Sequence, residues 1–141
     1  MKKIASILIL LSFIVFLFFS LRKNSGFAIN TFSNLPNELN GGSCVFSLNI
    51  KDFDNGKYVF VNDYANFGYS VINNEKENFT LEKYDTDKGI FNYENEKYNL
   101  EIHIVKSVSS GTESSKIGAI LTITNKNNIS VVRNVVGECG S

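Results

Sequence analysis

The side chains of this 141-residue chain that could bind a metal, attack a carbonyl or relay a proton are few. Cys44, Cys139 and the single histidine, His103, fall short of a closed zinc set, and their spacing matches no finger or ribbon. Serines and aspartates are available to pair with His103, but no nucleophile motif singles one out. His103 also sits on the polar side of an alternating stretch, where a surface histidine is the plain expectation. GxGxxG, P-loop and HExxH patterns are absent. Asp52-Phe53-Asp54-Asn55-Gly56 resembles a calcium loop, yet its glycine comes one position early and residue 63 is not glutamate. It reads as a hairpin turn, and Asp85-Thr86-Asp87 reads as a solvated turn. No catalytic residue, metal or cofactor is therefore expected. The chemistry left to Cys44 and Cys139 is mutual oxidation to a disulfide.

The elements that must bring those cysteines together are strands. From Cys44 onward apolar and polar residues alternate, and Asn, Asp and Gly fall where hairpins need them. Strands are expected over 44–50, 58–61, 67–71, 78–84, 90–93, 98–104, 117–124 and 129–136. Asn55-Gly56 and Asn73-Asn74 should form tight turns, since these residues tolerate positive φ. Tyr98, Leu100, Ile102 and Ile104 share one face; Asn99, Glu101 and His103 share the other. No helical periodicity stands out after residue 43. The expected fold is all-β, an eight-stranded antiparallel up-and-down barrel or a barrel-like sandwich. Cys44 opens the first strand and Cys139 follows the last. With an even strand number these two points lie at the same end, and in a closed barrel they are neighbours. An odd number would part them by about 17–20 Å, against the ~5.5–6 Å of bridged Cα atoms. A Cys44–Cys139 disulfide and an eight-stranded barrel thus support each other.

Ahead of this domain lies Ile4–Leu21, an uncharged apolar run between Met1-Lys2-Lys3 and Arg22-Lys23. Its roughly 18 residues would span about 27 Å as a helix, close to a bilayer's hydrocarbon core. Residues 1–23 read as a transmembrane anchor or as a signal peptide, with Gly26-Phe27-Ala28 offering a cleavage site before Ile29. Residues 24–42, with the only proline at Pro36, read as a linker, and residues 43–141 as the β domain. Two cysteines at the ends of one fold favour an oxidising destination. The domain is expected outside the cytoplasm, anchored in the inner membrane through Ile4–Leu21 or released to the periplasm or exterior after cleavage. Lys2, Lys3, Arg22 and Lys23 flank the apolar run, so of 14 basic and 14 acidic residues about 10 and 14 remain beyond it. That mildly acidic balance argues against nucleic acid as a partner.

The longest expected loop, SVSSGTESS at 107–115, is the candidate contact surface: Ser109, Ser110, Gly111, Thr112, Glu113, Ser114, Ser115 and, closing it, Lys116. Tyr58, Phe60, Tyr64, Phe67 and Tyr69 could line a ligand pocket inside a barrel, or simply pack a core. Asn78-Phe79-Thr80 and Asn128-Ile129-Ser130 match a glycosylation sequon, a chance match in a chain whose Asn- and Lys-rich composition suggests an AT-rich bacterial genome. GGSCVFSL, YVFVNDYANFGYSVINN and VVGECG, across most of residues 41–140, resemble a family of uncharacterised exported bacterial β proteins. A barrel closed by a terminus-to-terminus disulfide behind an export signal is also remotely similar to the membrane-bound C-type lysozyme inhibitors. That resemblance implies a Ser- and Lys-bearing loop inserted into a lysozyme cleft; SSGTESSK compares with it only loosely, and no residue role carries over. The expected function is a non-enzymatic binding module of the bacterial envelope with a protein partner there, for instance an inhibitor of a hydrolase. The alternatives are a small-ligand barrel with an aromatic interior and a structural envelope protein.

Overall fold

The structure is a computed structural model that describes residues 26–39, 42–63 and 65–140. The hydrophobic helix expected over Ile4–Leu21 lies outside them, and among the described residues no helix is long and apolar enough to cross a membrane. The elements in chain order are β1 (Ile29–Asn30), β2 (Ser43–Ser47), α1 (Ile50–Asp54), β3 (Phe60–Asp63), β4 (Phe67–Ile72), β5 (Glu75–Asp85), β6 (Ile90–Glu94), β7 (Tyr98–Ser109), β8 (Ser114–Asn125) and β9 (Ser130–Gly140). Strands β2 to β9 each pair antiparallel with the next, and β2 pairs with β9, so eight strands close into a barrel. The two-residue β1 is an addition: it pairs with the second half of β4, beyond the part that β3 covers.

Closure rests on the β2–β9 seam, where Cys44 and Cys139 stand directly opposite each other with Cα atoms 4.0 Å apart. The disulfide links them across 95 residues of chain. A loop of that size corresponds to about 4–5 kcal/mol of stabilisation in the chain-entropy account, an upper figure. Cys139 lies inside β9 rather than beyond the last strand, because β9 runs on to Gly140. Its pairing with Ser115 on one side and Cys44 on the other explains the extension: both neighbours offer backbone partners that far.

Three expectations are corrected. Residues 50–54 form a helical turn, not the end of a strand leading into an Asn-Gly hairpin. Asn49 caps its start, accepting the Asp52 amide at 2.9 Å. Gly56, at φ 64°, ends it: the Gly56 amide donates to the Phe53 carbonyl and the Lys57 amide to that of Asp52, a Schellman arrangement. The residue pair that suits a tight hairpin suits a helix end equally well. Second, the 107–115 loop is mostly strand, since β7 continues to Ser109 and β8 begins at Ser114, leaving four residues in the turn. A bulge at Val105, between Ile104 and Lys106, hides this in the alternation. It reverses which residues face inward, so the even-numbered Lys106 and Val108 point out although Ile102 and Ile104 point in. Third, β5 starts at Glu75, directly after the positive-φ pair Asn73 (50°) and Asn74 (62°). That two-residue turn forms as its sequence indicates.

Inside, Phe46, Phe60, Leu100, Ile102, Leu121 and Ile123 are fully buried. Val59 and Val61 are buried too, although Val61 points out of the barrel, because the barrel wall is covered here. Part of the 24–42 stretch supplies this cover. The Phe32 ring meets Tyr69 at 4.9 Å and Tyr58 at 6.3 Å, and Tyr58 in turn meets Phe53 of α1 at 6.4 Å. Phe32 and Tyr58 also exchange backbone hydrogen bonds of 2.8 Å in both directions. Phe27 packs on Tyr98 with ring centres 5.2 Å apart.

Gly137 is the tightest point of the seam. A Cβ there would overlap the Val45 carbonyl oxygen and lie 2.8 Å from Phe46 Cδ1. Gly137→Ala is therefore expected to destabilise the barrel by about 2–3 kcal/mol, read as a lower urea midpoint; an unchanged midpoint would mean that β2 and β9 close less tightly than this.

Candidate functional site

The residues singled out for chemistry do not converge. His103 lies on the outer wall, half-buried between Ile90 of β6 and Ile120 of β8. Among the described residues no group of three or more His, Cys, Asp or Glu side chains is placed to hold a metal ion. Asp52 engages the cap residue Asn49, and Asp85 accepts the Lys88 amide at 3.1 Å with the Lys88 ammonium 3.7 Å away. The aromatic group divides between two environments. Phe60 points into the barrel, Tyr58 and Tyr69 point out against Phe32, Phe67 is half-buried, and Tyr64 lies outside the described residues.

Ser109–Lys116 forms the tip and first residues of the β7–β8 hairpin. Ser110 and Ser114 hold the turn through an amide-to-carbonyl bond and a hydroxyl contact, both 3.0 Å. Ser114 and Ser115 pair with Gly140 and Cys139, so the loop rises directly from the disulfide seam. Below it, on the outer wall, runs an open apolar groove of about 460 Å³ between α1 and strands β7 to β9. Ile50 and Phe53 form one bank, beside Asp54; Val108, Gly118 and Val136 form the other, flanked by Lys106, Lys116 and Glu138. Ile50 (67 % exposed) and Val108 (51 %) are large apolar side chains left open to solvent. Of the nominated loop residues only Lys116 lines this groove.

The two ends of the barrel differ. At the end where β2 finishes and β7 begins, Lys97 donates to Glu77 at 2.8 Å and Glu75 at 3.0 Å, while Asn95 donates to Glu77 at 2.9 Å and to the Asn78 carbonyl at 3.1 Å. The hydrogen bonds to Glu77 and then Glu75 hold the Lys97 ammonium above its ordinary pKa. Glu77 is an inward-facing carboxylate, buried yet fully engaged, and the cluster plugs this end.

At the disulfide end the interior is not filled. A cavity of about 150 Å³ remains, walled by Phe46, Leu81, Phe91, Ile102 and Ile104, with the disulfide at its side. A hydrogen-bonded polar pair lines it: Asn62 Nδ2 donates to the Tyr93 hydroxyl at 2.8 Å. Asn62 is 7 % exposed, and its Oδ1 has no hydrogen-bond partner among the described residues. Gly68 makes room for the pair, since a Cβ there would press on Phe60 and Tyr93 at 3.0–3.1 Å. Burial pushes the Tyr93 hydroxyl up to about 12; the Asn62 hydrogen bond opposes this, and the Asp63 carboxylate adds to it. Neither residue carries a sequence signal beyond its place in an alternating strand.

Comparison of the chain with protein-family models, with curated proteins and with solved structures finds no match in any of the three.

Tyr93 gives a pH dependence of defined sign. The unfolded chain releases the tyrosine proton near its ordinary value of 10.0, whereas the folded barrel holds it to about 12. This contribution is complete below pH 10 and is lost as the pH rises toward 12, amounting to about 2–3 kcal/mol. Tyr93→Phe should flatten that part of a stability–pH profile recorded by chemical denaturation. A profile identical to that of the unmodified chain would show that the hydroxyl titrates as in water.

Proposed function

We propose that this chain is an exported, non-enzymatic binding module of the bacterial envelope, and that it holds a protein partner in the apolar groove between α1 and the β7–β9 wall. The observation that carries the reading is the groove itself: exposed Ile50 and Val108 across from each other, with Lys106 and Lys116 at the edge. Isolated exposed apolar residues are ordinary, but apolar residues grouped along a groove mark contact surfaces. Asp54 and Glu138 also line the groove, so its rim carries both signs of charge; within it the two ammonium groups suit a partner that presents an apolar side chain beside carboxylates. The cleft of a glycan hydrolase, with its paired acids, has that chemistry. Inhibition of such an enzyme is the specific form of the proposal, in keeping with the remote resemblance to lysozyme inhibitors.

Export is supported by the Cys44–Cys139 disulfide, since such bonds persist in oxidising compartments. Burial of Phe27 against Tyr98 favours an anchor that stays attached over cleavage after Ala28. That cut would remove Phe27 from the core, together with the Ala28 amide's bond to Asn73 Oδ1 at 2.9 Å.

Titration of a C-type lysozyme with the purified protein, followed by lysis of cell-wall substrate, tests the specific form; full lysozyme activity at tens of micromolar protein would eliminate it. For any envelope partner, Val108→Asp should weaken binding at least tenfold, about 1.4 kcal/mol, while replacing Ser110–Glu113 by a two-residue Asn-Gly turn leaves it intact. The opposite pattern would move the contact from the groove to the hairpin tip. Intact mass of the mature protein should include Phe27, and a chain starting at Ile29 would refute the retained anchor.

A further inference from the structure

The cavity at the disulfide end is independent of the outer groove, and its chemistry is specific enough to name a ligand class. Its volume, about 150 Å³, is too small for drug-sized molecules but matches that of an apolar cavity able to take up benzene. Its walls are hydrocarbon apart from the disulfide and the polar residues Asn62, Asp63 and Tyr93. Water would meet two polar groups here, one amide and one phenol, the lower end of what a buried water takes, and would leave the hydrocarbon walls without contacts. Among the described residues Asn62 Oδ1 is a buried acceptor without a donor, and such a group costs free energy until something fills it. The Tyr93 oxygen accepts from Asn62 Nδ2, which leaves its own proton to be donated.

We propose that the barrel binds a small neutral molecule with one aromatic-sized apolar body and one hydroxyl, of the phenol class. The hydroxyl donates to Asn62 Oδ1 and accepts the Tyr93 proton, so both groups are satisfied at once. A hydroxyl also suits the reversed amide, in which Tyr93 donates to Asn62 Oδ1 and Nδ2 seeks an acceptor. The ring packs against Phe46, Leu81, Phe91, Ile102 and Ile104. Asp63 at the rim, already accepting the Ala65 and Phe67 amides at 3.0 and 2.9 Å, disfavours an anion. The site thus selects by size, by neutrality and by one polar contact.

The test titrates the full-length protein with phenol and, separately, with benzene, recording side-chain amide and methyl NMR spectra. The expected result is a saturable shift of the Asn62 amide and the Ile102 methyls by phenol, with benzene at least tenfold weaker. Ile104→Trp, which fills the cavity, should abolish the phenol response while the remaining spectrum stays folded. Benzene binding as tightly as phenol would overturn the role of the polar pair. Absence of any shift at millimolar phenol would overturn the site, leaving a cavity occupied by solvent only. A phenol response that survives in a folded Ile104→Trp variant would place binding elsewhere and overturn it equally.

Discussion

Everything in this barrel depends on the pairing of β2 with β9. An up-and-down array of eight strands has two edges until those strands meet, and each edge exposes a row of unpaired amides and carbonyls. β2 is short, with five residues against eleven in β9, so its backbone bonds alone form a brief seam. Two features reinforce it. The disulfide joins the strands at facing positions, and Gly137 lets the Val45 carbonyl and the Phe46 ring come close. Phe46 then reaches Phe60 inside the barrel, with ring centres 6.0 Å apart, so the seam and the core are continuous.

The long strands carry the rest of the framework. β7, β8 and β9 pair over nearly their full length, while β2, β3, β4 and β6 are short. The short-strand side is also the side that needs cover. There Val61 and Tyr69 point outward yet are buried, and Phe32, Tyr58 and Phe53 lie against this part of the wall. The barrel is therefore not a single layer around one core. Its interior core is supplemented by a small aromatic cluster outside β3 and β4, built from the segment ahead of the domain and from α1.

Alternation revealed the eight strands, their antiparallel order and the pairing of the cysteines, because a two-residue period and an even strand count are direct consequences of backbone geometry. The failures have equally local causes. Asn55-Gly56 satisfies a helix end as readily as a hairpin, and only the Asn49 and Asp52 cap interaction distinguishes them. The Val105 bulge reverses the facing of every later residue in β7, so Ser107, Val108 and Ser109 looked like loop when they are strand. Both features of the candidate sites were illegible for a related reason. Asn62 is one polar residue in an apolar strand, and its importance arises from Tyr93, 31 residues away, and from the space that Gly68 leaves. The outer groove joins residues from a helical turn and three strands that no spacing in the sequence connects.

The contrast between the two ends of the barrel gives the molecule a direction. The chain reaches the barrel at Phe27 and β1, beside the end sealed by Glu77, Lys97 and Asn95. The unfilled interior opens at the other end, beside the disulfide, Asp63 and Ala65. The described chain therefore enters the barrel beside its sealed end. Were the proposed anchor retained, the barrel would be held like a cup by its base, its open rim turned away from the point of attachment.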